Sequence, residues 1–537
     1  MSIMKEGTKK DLIFFGLCFL AVFAIFGRTL AGDFVFDDRG IIDHQALLGD
    51  FAKLHKVFAL PYWTAEAGLY RPTTLVSYAF NFALLGGNPW GFHLINLLFY
   101  LATSWLVYRL ADKLFGRKIF AYSAALFFLV LPIHTEVVAN IIGRAEILAL
   151  FFSLLLLGEW LKDKPILWRL ALWAALALGS KETAIAIFPL AFFLSFLKEK
   201  NLSWEKLKRY FLPTVAAVGG VFVYFGARAL VLGFKYFSAV ETSLVENPLK
   251  FVATGPRLAT ALKISLMYFK KTFWPFGLCS DYSYSQIEIA KNWLNLEVLV
   301  GAAAIFSLAA IFWFCRRRQS ALSLAAGWWL VGFILVSNFV FPIGTIAGER
   351  LVYFSSLGVA FFLAWLFDWL LSRCRKKVFY WLIAGGALAL IIFYGVLSFW
   401  RAGDWLTEKR LFASAAKCAP NSVLSRSNLG AAYYLAGDLA NAKKWLLAAQ
   451  EIYPDYPKGV NNLGLVYWKE GDNQKARELF LRALSYRFPY YGAYENLALL
   501  ALSEGKEEEA ETWLGKFYQG NERAIRAFIE SYYANSQ

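Results

Sequence analysis

The sequence predicts an all-α protein, in which a polytopic helical membrane part with about eleven spans is followed by a soluble helical repeat part. Of its 537 residues, 58% are apolar and 18% are aromatic, and the mean hydropathy is +0.47, which is far from the composition of soluble globular chains. Eleven apolar runs before residue 400 approach the ~20 residues that a spanning helix needs. Beyond residue 400 the sequence becomes polar and a 34-residue period appears. We therefore expect a membrane domain over 1–400 and a repeat domain over 401–537.

The predicted spans begin close to the N-terminus. Residues 11–30 follow Lys5, Lys9 and Lys10 and contain no small-residue cleavage site, which indicates a retained signal-anchor helix. The protein is thus expected to be integral to a bacterial-type cytoplasmic (inner) membrane. The other predicted spans are 92–111, 118–133, 146–161, 166–180, 183–198, 210–232, 294–315, 321–341, 351–371 and 378–399.

Lysine and arginine are concentrated in alternate loops of the membrane part. The net charge of +16 would suit a nucleic-acid-binding protein, but cytoplasmic loops of membrane proteins carry the same excess. The pattern predicts a cytoplasmic N-terminus, an extracytoplasmic C-terminal repeat domain and no nucleic-acid partner. The basic segments expected in the cytoplasm are 5–10, 113–118, 162–169, 198–209, 316–318 and 373–377.

One long segment, 256–275, does not fit this count of spans. It is long enough to cross a membrane but carries Lys263, Lys270 and Lys271, and a crossing here would place the basic segment 316–318 outside. We expect an amphipathic helix on the outer membrane surface, with a true span as the alternative.

The stretch from Asp33 to Gly40 follows the first predicted span and carries two adjacent carboxylates, Asp37 and Asp38. Such a pair alone is typical of a solvated turn. Charged residues at the ends of later spans change this expectation, because charges at membrane depth usually pair or mark a functional cavity. In the predicted topology all of them face one side of the membrane. They are Arg71, His134, Glu136, Arg144, Glu146, Lys181, Glu182, Glu349 and Arg350.

Simpler interpretations of these residues stay open. His134 and Glu136 have a spacing that could hold a divalent metal, although a hydrogen-bonded histidine at a helix end is commoner. The five cysteines show no zinc-binding spacing, and no metal site is predicted. Charged sequence neighbours could also neutralise each other locally. Such pairs are Arg144 with Glu146, Lys181 with Glu182, and Glu349 with Arg350.

The chemistry that suits such a cluster is group transfer from an anionic lipid phosphate. Arginine and lysine bind phosphate, and arginine does so in a bidentate manner. Phosphate is a good leaving group, so the reaction needs a carboxylate base near the acceptor hydroxyl rather than a strong general acid. Cations must also stabilise the charge that develops on the departing phosphate.

The C-terminal part shows the tetratricopeptide pattern, with small residues where two helices touch and large residues filling the groove. Residues 404–420 fit the second helix of a degenerate leading repeat, and 521–535 fit a capping helix. Such an array usually binds a peptide or protein, and a rigid spacer or dimerisation element is the alternative. In phase are Leu429, Leu463 and Leu497, then Ala442, Ala476 and Ala510, then Leu446, Phe480 and Leu514.

Seven short motifs occur in order along the chain: Phe34-Val35-Phe36-Asp37-Asp38, Tyr70-Arg71-Pro72, Pro132-Ile133-His134-Thr135-Glu136, Gly143-Arg144-Ala145-Glu146, Ser180-Lys181-Glu182-Thr183, Ser280-Asp281-Tyr282-Ser283-Tyr284 and Gly348-Glu349-Arg350-Leu351. With the repeats, this ordered set resembles the transmembrane-and-tetratricopeptide O-mannosyltransferase family (TMTC) over nearly the whole chain, apparently as a prokaryotic member. The resemblance implies a GT-C glycosyltransferase fold, a polyprenyl-phosphate sugar as donor and Ser or Thr of proteins as acceptor.

The resemblance also implies roles for individual residues. Asp37 would be the catalytic base beside Asp38. The candidates for the donor phosphate would be Arg71, Arg144, Lys181 and Arg350, and the supporting residues would be His134, Glu136, Glu146, Glu182 and Glu349.

The sequence therefore predicts an inverting, membrane-bound glycosyltransferase that moves a sugar, expected to be mannose, from a polyprenyl phosphate to Ser or Thr hydroxyls at the extracytoplasmic face. The expected partners are the lipid-linked donor, a polypeptide acceptor in the repeat groove, and membrane lipids, and no cofactor is predicted. The alternatives are a glycosyltransferase or ligase acting on a lipid or polysaccharide, and a non-enzymatic membrane scaffold.

Overall fold

The structure is a computed structural model that describes residues 6–40, 45–63, 68–199, 208–233 and 242–536. Every regular element in these ranges is helical, which confirms the predicted all-α class. The chain divides into two compact units. Unit 1 comprises Met1–Thr242, Leu249–Ser280 and Ile289–Leu411, and unit 2 comprises Ser243–Pro248, Asp281–Glu288 and Phe412–Gln537.

Most main helices of unit 1 correspond to apolar runs of the sequence, and α-helices longer than four residues are numbered here in chain order. They are α1 (Glu6–Phe26), α2 (Pro72–Leu85), α3 (Pro89–Phe115), α4 (Lys118–Val130), α5 (Thr135–Ala139), α6 (Arg144–Trp160), α7 (Leu167–Ser180), α8 (Ile187–Glu199), α9 (Phe211–Leu232), α10 (Thr254–Phe273), α11 (Leu296–Cys315), α12 (Ser320–Ile334), α13 (Tyr353–Arg373) and α14 (Lys377–Ala402).

Each of the eleven predicted spans is a helix in the structure, but the helices differ in length. Among the described residues, seven helical segments are long and apolar enough to cross a membrane, and α4 with the helical segment Pro132–Ala139 makes an eighth that is bent by 51°. The remaining three, α7, α8 and α12, have 14, 13 and 15 residues. The protein is therefore an integral membrane protein with several apolar helices.

The bend in the third predicted span has a local cause. Proline lacks an N–H donor and its ring disturbs the preceding helical turn, and Pro132 stands where α4 ends. A short 3₁₀ segment, Pro132–His134, then leads into α5. The bend places His134 and Glu136 inside the helix bundle, where both are buried.

The segment 256–275 forms helix α10, which is not among the helices apolar enough to span. It packs closely on α11, because a Cβ atom added to Gly301 would lie 2.2 Å from the Leu262 carbonyl oxygen. Lys263 also forms a 3.2 Å ion pair with Glu297. Its location on the membrane surface stays a prediction.

The loops that the sequence assigns to the cytoplasm meet at one end of unit 1. Lys113 at the end of α3 donates to the Gly158 carbonyl oxygen of α6 over 2.9 Å. Arg117 forms a 2.6 Å ion pair with Asp368 near the end of α13. Glu146 lies at the other end of α6. The basic loops and the start of α6 are therefore at opposite ends of the bundle.

Unit 2 consists of paired helices with the predicted 34-residue period, and the tetratricopeptide prediction is confirmed. Gly430 and Gly464 lie at close helix crossings, where an added Cβ atom would come within 2.6 Å of Leu446 and Phe480. The helices are α15 (Glu408–Cys418), which the unit boundary divides, α16 (Val423–Leu435), α17 (Leu439–Ile452), α18 (Pro457–Lys469), α19 (Asn473–Ser485), α20 (Gly492–Ser503), α21 (Glu507–Phe517) and α22 (Glu522–Ser536).

The turn within each repeat uses the same chemistry. Gly437, Gly471 and Gly505 have φ angles of 77°, 89° and 74°, a left-handed conformation that glycine adopts at low cost. The predicted capping helix corresponds to α22, which packs Ile529 against the core of the last repeat. The polar outer face of such a helix ends the solenoid.

Unit 2 also includes the loop Asp281–Glu288. Asp281 accepts hydrogen bonds from the hydroxyls of Ser422 and Ser425, the latter at 2.7 Å. The backbone continues this contact, because Val423 N donates to the Tyr284 carbonyl oxygen over 2.7 Å. The loop thereby fixes the start of α16.

Candidate active site

A cavity of about 750 Å³ opens in unit 1 at the end of the bundle opposite the basic loops. It lies among the starts of α2 and α6, the loop after α7, the end of α9 and the segment that follows α12. One wall is apolar and includes Leu335, Val336 and Phe341. The charged residues that line it are Asp37, Arg71, Glu146, Lys181, Glu182, Arg228, Lys250 and Arg350.

The two adjacent aspartates have different environments. Asp37 is half-buried and lines the cavity, whereas Asp38 is fully buried beside it. The preceding Phe36 has a φ angle of 54°, in the left-handed region that bulky residues rarely adopt. This strained turn sends one carboxylate into the cavity and the other into the protein.

Asp38 connects the first loop to the start of α6. Its carboxylate accepts from Val35 N at 3.2 Å and from Ile142 N at 3.0 Å. Burial raises the pKa of Asp38 to about 7, and the two backbone donors oppose this rise only in part. Asp38 thus positions Asp37 and the α6 loop without lining the cavity.

Arg71 is held at the cavity by contacts on two sides. Its Nη2 and Nε donate to Glu182 Oε2 at 3.1 and 3.3 Å, and its guanidinium lies 4.9 Å from the centre of the Tyr62 ring. Pro72 opens α2 immediately after it, which fixes the backbone direction. Burial by itself would lower the pKa of Arg71, but the charge of Glu182 raises it, so the side chain is a permanent cation.

Lys181 and Glu146 form a second buried pair at the cavity, with the ammonium donating to the carboxylate. Lys181 follows α7 directly in an extended conformation, and Glu146 lies in the first turn of α6. Burial lowers the pKa of Lys181, although Glu146 opposes this effect. The pair therefore joins the α7 loop to the start of α6.

Arg350 and Glu349 point to different places. Arg350 lines the cavity, and Glu136 accepts both from its Nη1 at 2.8 Å and from its backbone N at 3.0 Å. Glu349 is fully buried and forms a 2.9 Å ion pair with Arg401, away from the cavity-lining residues. Glu136 and Glu349 therefore support the site from behind.

Arg144 and His134 are buried in the bundle and do not line the cavity. Arg144 donates to neutral acceptors, among them Asn96 Oδ1 at 2.7 Å and the Phe92 carbonyl oxygen at 2.8 Å. His134 is hydrogen-bonded on one nitrogen to Tyr100 at 2.9 Å and on the other to Ser356. The structure thus separates these two residues from the other predicted site residues at the cavity.

The charged residues pair across elements rather than with their sequence neighbours. Each of the three local pairs considered from the sequence is split between different partners. The observed pairs are Arg71 with Glu182, Lys181 with Glu146, Arg350 with Glu136 and Arg401 with Glu349.

Two cations at the cavity were not predicted. Arg228 donates to the Gly68 carbonyl oxygen over 2.9 Å and lies 3.8 Å from Glu182, and Lys250 donates to Thr242 over 2.5 Å. Arg228 lies near the end of the predicted span 210–232, and a charge in that position is a sign of a functional residue in the sequence. Among the described lining residues, five cations face three carboxylates, so the cavity favours an anion.

No group of three or more His, Cys, Asp or Glu side chains converges on a metal position in the described ranges. The cavity places the Asp37 carboxylate beside guanidinium and ammonium groups. Asp37 acts electrostatically on Arg350. Such a combination can remove a proton from a hydroxyl group while it holds a phosphate.

Two family profiles match the chain. The family described as "Dolichyl-phosphate-mannose-protein mannosyltransferase" matches residues 72–225. This range begins one residue after Arg71 and includes Arg144, Glu146 and Lys181. The family described as "Tetratricopeptide repeat" matches 396–457 and 461–531. Fold and cavity together therefore define a membrane protein that carries a glycosyltransferase-family domain and tetratricopeptide repeats.

Curated relatives share both parts. The chain is 27% identical over 435 residues to a protein O-mannosyl-transferase of Caenorhabditis elegans, covering 79% of this chain and 60% of that protein. It is 28% identical over 469 residues to Protein O-mannosyl-transferase TMTC4 of Homo sapiens, covering 75% and 62%. For TMTC3 of Mus musculus the identity is 25% over 476 residues, covering 80% and 50%.

The chain is thus a homologue of the TMTC protein O-mannosyl-transferases, and the resemblance stated from its motifs is confirmed. It spans about three fifths of the length of the first two of these relatives.

Proposed function

We propose that this chain transfers a sugar, mannose in keeping with the names of its relatives, from a polyprenyl phosphate to a Ser or Thr hydroxyl of a protein, with inversion at the sugar carbon. The observation that carries the proposal is the cavity in which Asp37 stands among Arg71, Lys181 and Arg350. A base and a phosphate-binding set are the two components that this transfer requires.

In the proposed reaction the Asp37 carboxylate accepts the proton of the acceptor hydroxyl. The acceptor oxygen then forms a bond to the anomeric carbon, and the bond from that carbon to the phosphate oxygen breaks. The electron pair leaves on the phosphate, where Arg71 and Arg350 stabilise the charge. Both guanidiniums have donors beyond those used for their carboxylates, because Glu182 takes only Nε and Nη2 of Arg71 and Glu136 takes only Nη1 of the Arg350 guanidinium.

The apolar wall suits the prenyl chain of the donor. Leu335, Val336, Phe341 and Ile343 line one side of the cavity, and Phe341 is about half-exposed to the surroundings of the bundle. A lipid tail can lie against this surface while its phosphate reaches the cations. Free sugar nucleotides would not use such a wall.

The test compares wild type with Asp37→Asn, both purified, in a transfer assay with a polyprenyl-phosphate mannose and a Ser/Thr peptide. Asp37→Asn is expected to lower kcat by about 10²–10⁴-fold, the range for loss of a general base, with an unchanged unfolding temperature. Turnover close to wild type would refute the base assignment. Transfer only to lipid or polysaccharide acceptors would refute the protein acceptor.

We infer that the cavity faces the extracytoplasmic side of a bacterial-type cytoplasmic membrane. The support is the gathering of basic loops at the opposite end of unit 1, which the positive-inside rule assigns to the cytoplasm. The cysteine of an Arg317→Cys variant is expected to react only with reagents that enter the cytoplasm. Labelling of this position by an impermeant reagent in intact cells would contradict the proposed orientation.

We also propose that the repeats hold the acceptor polypeptide. Asn428, Asn462 and Asn496 occupy the same position in the first helix of three successive repeats. Asn428 is buried, Asn462 and Asn496 are partly exposed, and Asn496 donates to Asn461 Oδ1 over 2.8 Å. Amides at regular spacing can hydrogen-bond an extended backbone. Replacing all three by Ala is expected to raise KM for a protein acceptor at least about tenfold, given ~1 kcal/mol per hydrogen bond, with kcat unchanged. An unaltered KM would show that the acceptor binds elsewhere.

A further inference from the structure

A second cavity of about 660 Å³ lies at the basic end of unit 1, far along the helices from Asp37. It is formed where α3, α6 and α8 end and α12 begins. Three lysines, Lys113, Lys162 and Lys198, line it together with one carboxylate, Asp163. Apolar side chains such as Phe115 complete the wall, so the cavity is both cationic and partly apolar.

Each of the three ammonium groups is positioned by a contact with the end of α6 or the residues after it. Lys113 donates to the Gly158 carbonyl oxygen at 2.9 Å. Lys198 donates to the Leu161 carbonyl oxygen and to Asp163 Oδ1, each at 3.2 Å. Lys162 pairs with Glu159 at 2.6 Å. An ammonium has three N–H donors, so within the described residues these contacts leave one donor on Lys198 and two each on Lys113 and Lys162 for a ligand.

Lysines often cap the C-terminal carbonyl oxygens of a helix, which is a sufficient role for one or two of them. Capping does not explain why a third ammonium borders the same open volume with only one carboxylate in its lining. The unbalanced positive charge makes the cavity attractive to an anion.

Aromatic residues place this cavity at the level of lipid headgroups. Trp168 and Trp313 are exposed at this end of the bundle. Arg169 lies 5.4 Å from the ring centre of Trp168, and Arg316 lies 3.8 Å from that of Trp313. Exposed tryptophan with arginine is typical of the membrane–water interface.

We propose that this cavity binds the phosphate headgroup of an anionic phospholipid from the adjacent leaflet, which is the cytoplasmic leaflet under the positive-inside rule. Lys113, Lys162 and Lys198 bind the phosphate oxygens, and Ser320 supplies a hydroxyl at the rim. The apolar wall accommodates the glycerol end of the acyl chains. The site is separate from the catalytic cavity and does not depend on the proposed transferase activity.

The test measures lipid binding by the purified full-length protein in detergent. Lys113→Gln, Lys162→Gln and Lys198→Gln are combined, and retention of phosphatidylglycerol is compared with that of phosphatidylcholine by native mass spectrometry. At roughly fivefold per lysine near an anionic headgroup, the triple variant is expected to lose roughly hundredfold in affinity for phosphatidylglycerol. Inorganic phosphate, tested alone by its effect on the unfolding temperature, is expected to have none.

The matched control is Arg375→Gln with Lys376→Gln and Lys377→Gln, which removes the same charge from exposed residues outside the cavity. It is expected to retain phosphatidylglycerol within about fivefold. Equal losses in the two triple variants would overturn the proposal, because attraction would then depend on net charge alone. Stabilisation by inorganic phosphate to the same extent as by the lipid would overturn the assignment to a lipid.

The single variant Lys162→Gln covers the case in which the triple variant does not fold, because Lys162 contacts only the side chain of Glu159 among its described partners. A roughly fivefold weaker retention of phosphatidylglycerol supports the site. Wild-type retention in this variant counts against it.

Discussion

Asp37 and Asp38 are adjacent in sequence and differ in role because of what surrounds each carboxylate. The left-handed backbone at Phe36 turns Asp37 toward the cavity, while Asp38 is enclosed and receives two backbone N–H groups. The residue pattern makes both catalytic candidates, and only the family resemblance assigns the base to Asp37. The pattern cannot show the enclosure of Asp38, since its donors include Ile142, more than a hundred residues away.

The pH dependence of stability gives a first prediction for Asp38. Its pKa is raised by burial from 3.8 to about 7, so the stability that its protonated form contributes is present below about pH 4 and lost as the pH rises through about 7. The unfolding temperature of wild type minus that of Asp38→Asn should therefore fall from pH 5 to pH 8. Thermal unfolding in detergent measures this difference, and a difference that rises with pH would contradict the prediction.

Arg71 gives a second prediction at the same scale. Arg71→Gln removes a cation from the cavity and leaves Glu182 without its main partner, so kcat/KM for the lipid donor should fall at least about 10²-fold. Arg39→Gln is the matched control, because Arg39 pairs with Glu408 outside the cavity lining. Its kcat/KM should stay within about twofold, as expected for an exposed pair. Equal losses of kcat/KM in both variants would contradict the assignment of Arg71 to the donor-phosphate site.

At the scale of elements, the site depends on breaks in helices rather than on regular helices. The bend at Pro132 places Glu136 behind the cavity, where it holds Arg350, and the short turn Ile141–Gly143 brings the start of α6 to the cavity. Gly143 makes the turn possible, because a Cβ atom there would lie 2.1 Å from the Val137 carbonyl oxygen. The apolar pattern predicted each helix, whereas these close approaches have no periodic signal.

Gly143→Ala should therefore destabilise the protein by about 1–3 kcal/mol, the usual cost of overpacking, and should lower transferase activity through the displaced Ile142. Gly158→Ala is the control within the same apolar segment, since nothing lies within 4 Å of an added Cβ atom there. Alanine at Gly158 should be neutral or stabilising by up to about 1 kcal/mol. Unfolding temperatures that fall equally in the two variants would contradict the role of the close contact at Gly143.

At the scale of the whole molecule, each unit is assembled from separate parts of the chain. Unit 2 includes the loop Asp281–Glu288 in addition to the repeats. The hydropathy pattern places this loop in the membrane part, because a periodic repeat gives no indication of a remote segment that packs on its first helix.

A fragment of residues 412–537 should consequently gain stability from a peptide of residues 281–288. Binding to the folded form alone stabilises by RT ln(1 + [L]/Kd), about 2.7 kcal/mol at a hundredfold excess over Kd. A rise in the unfolding temperature that saturates with peptide concentration is expected. The same peptide with Asp281→Ala should have little effect, since it lacks the acceptor for Ser422 and Ser425, and equal effects would contradict this role of Asp281.

The sequence by itself determined the helical class, the eleven apolar segments, the repeat period and most of the charged residues at the cavity. These features are local or periodic, and so hydropathy and spacing record them. The tertiary structure alone decided that Arg144 and His134 are enclosed, that Arg228 and Lys250 join the cavity, and that ion pairs form across elements. The physical reason is that burial and charge pairing depend on which distant segments meet, and no single stretch of sequence contains that information.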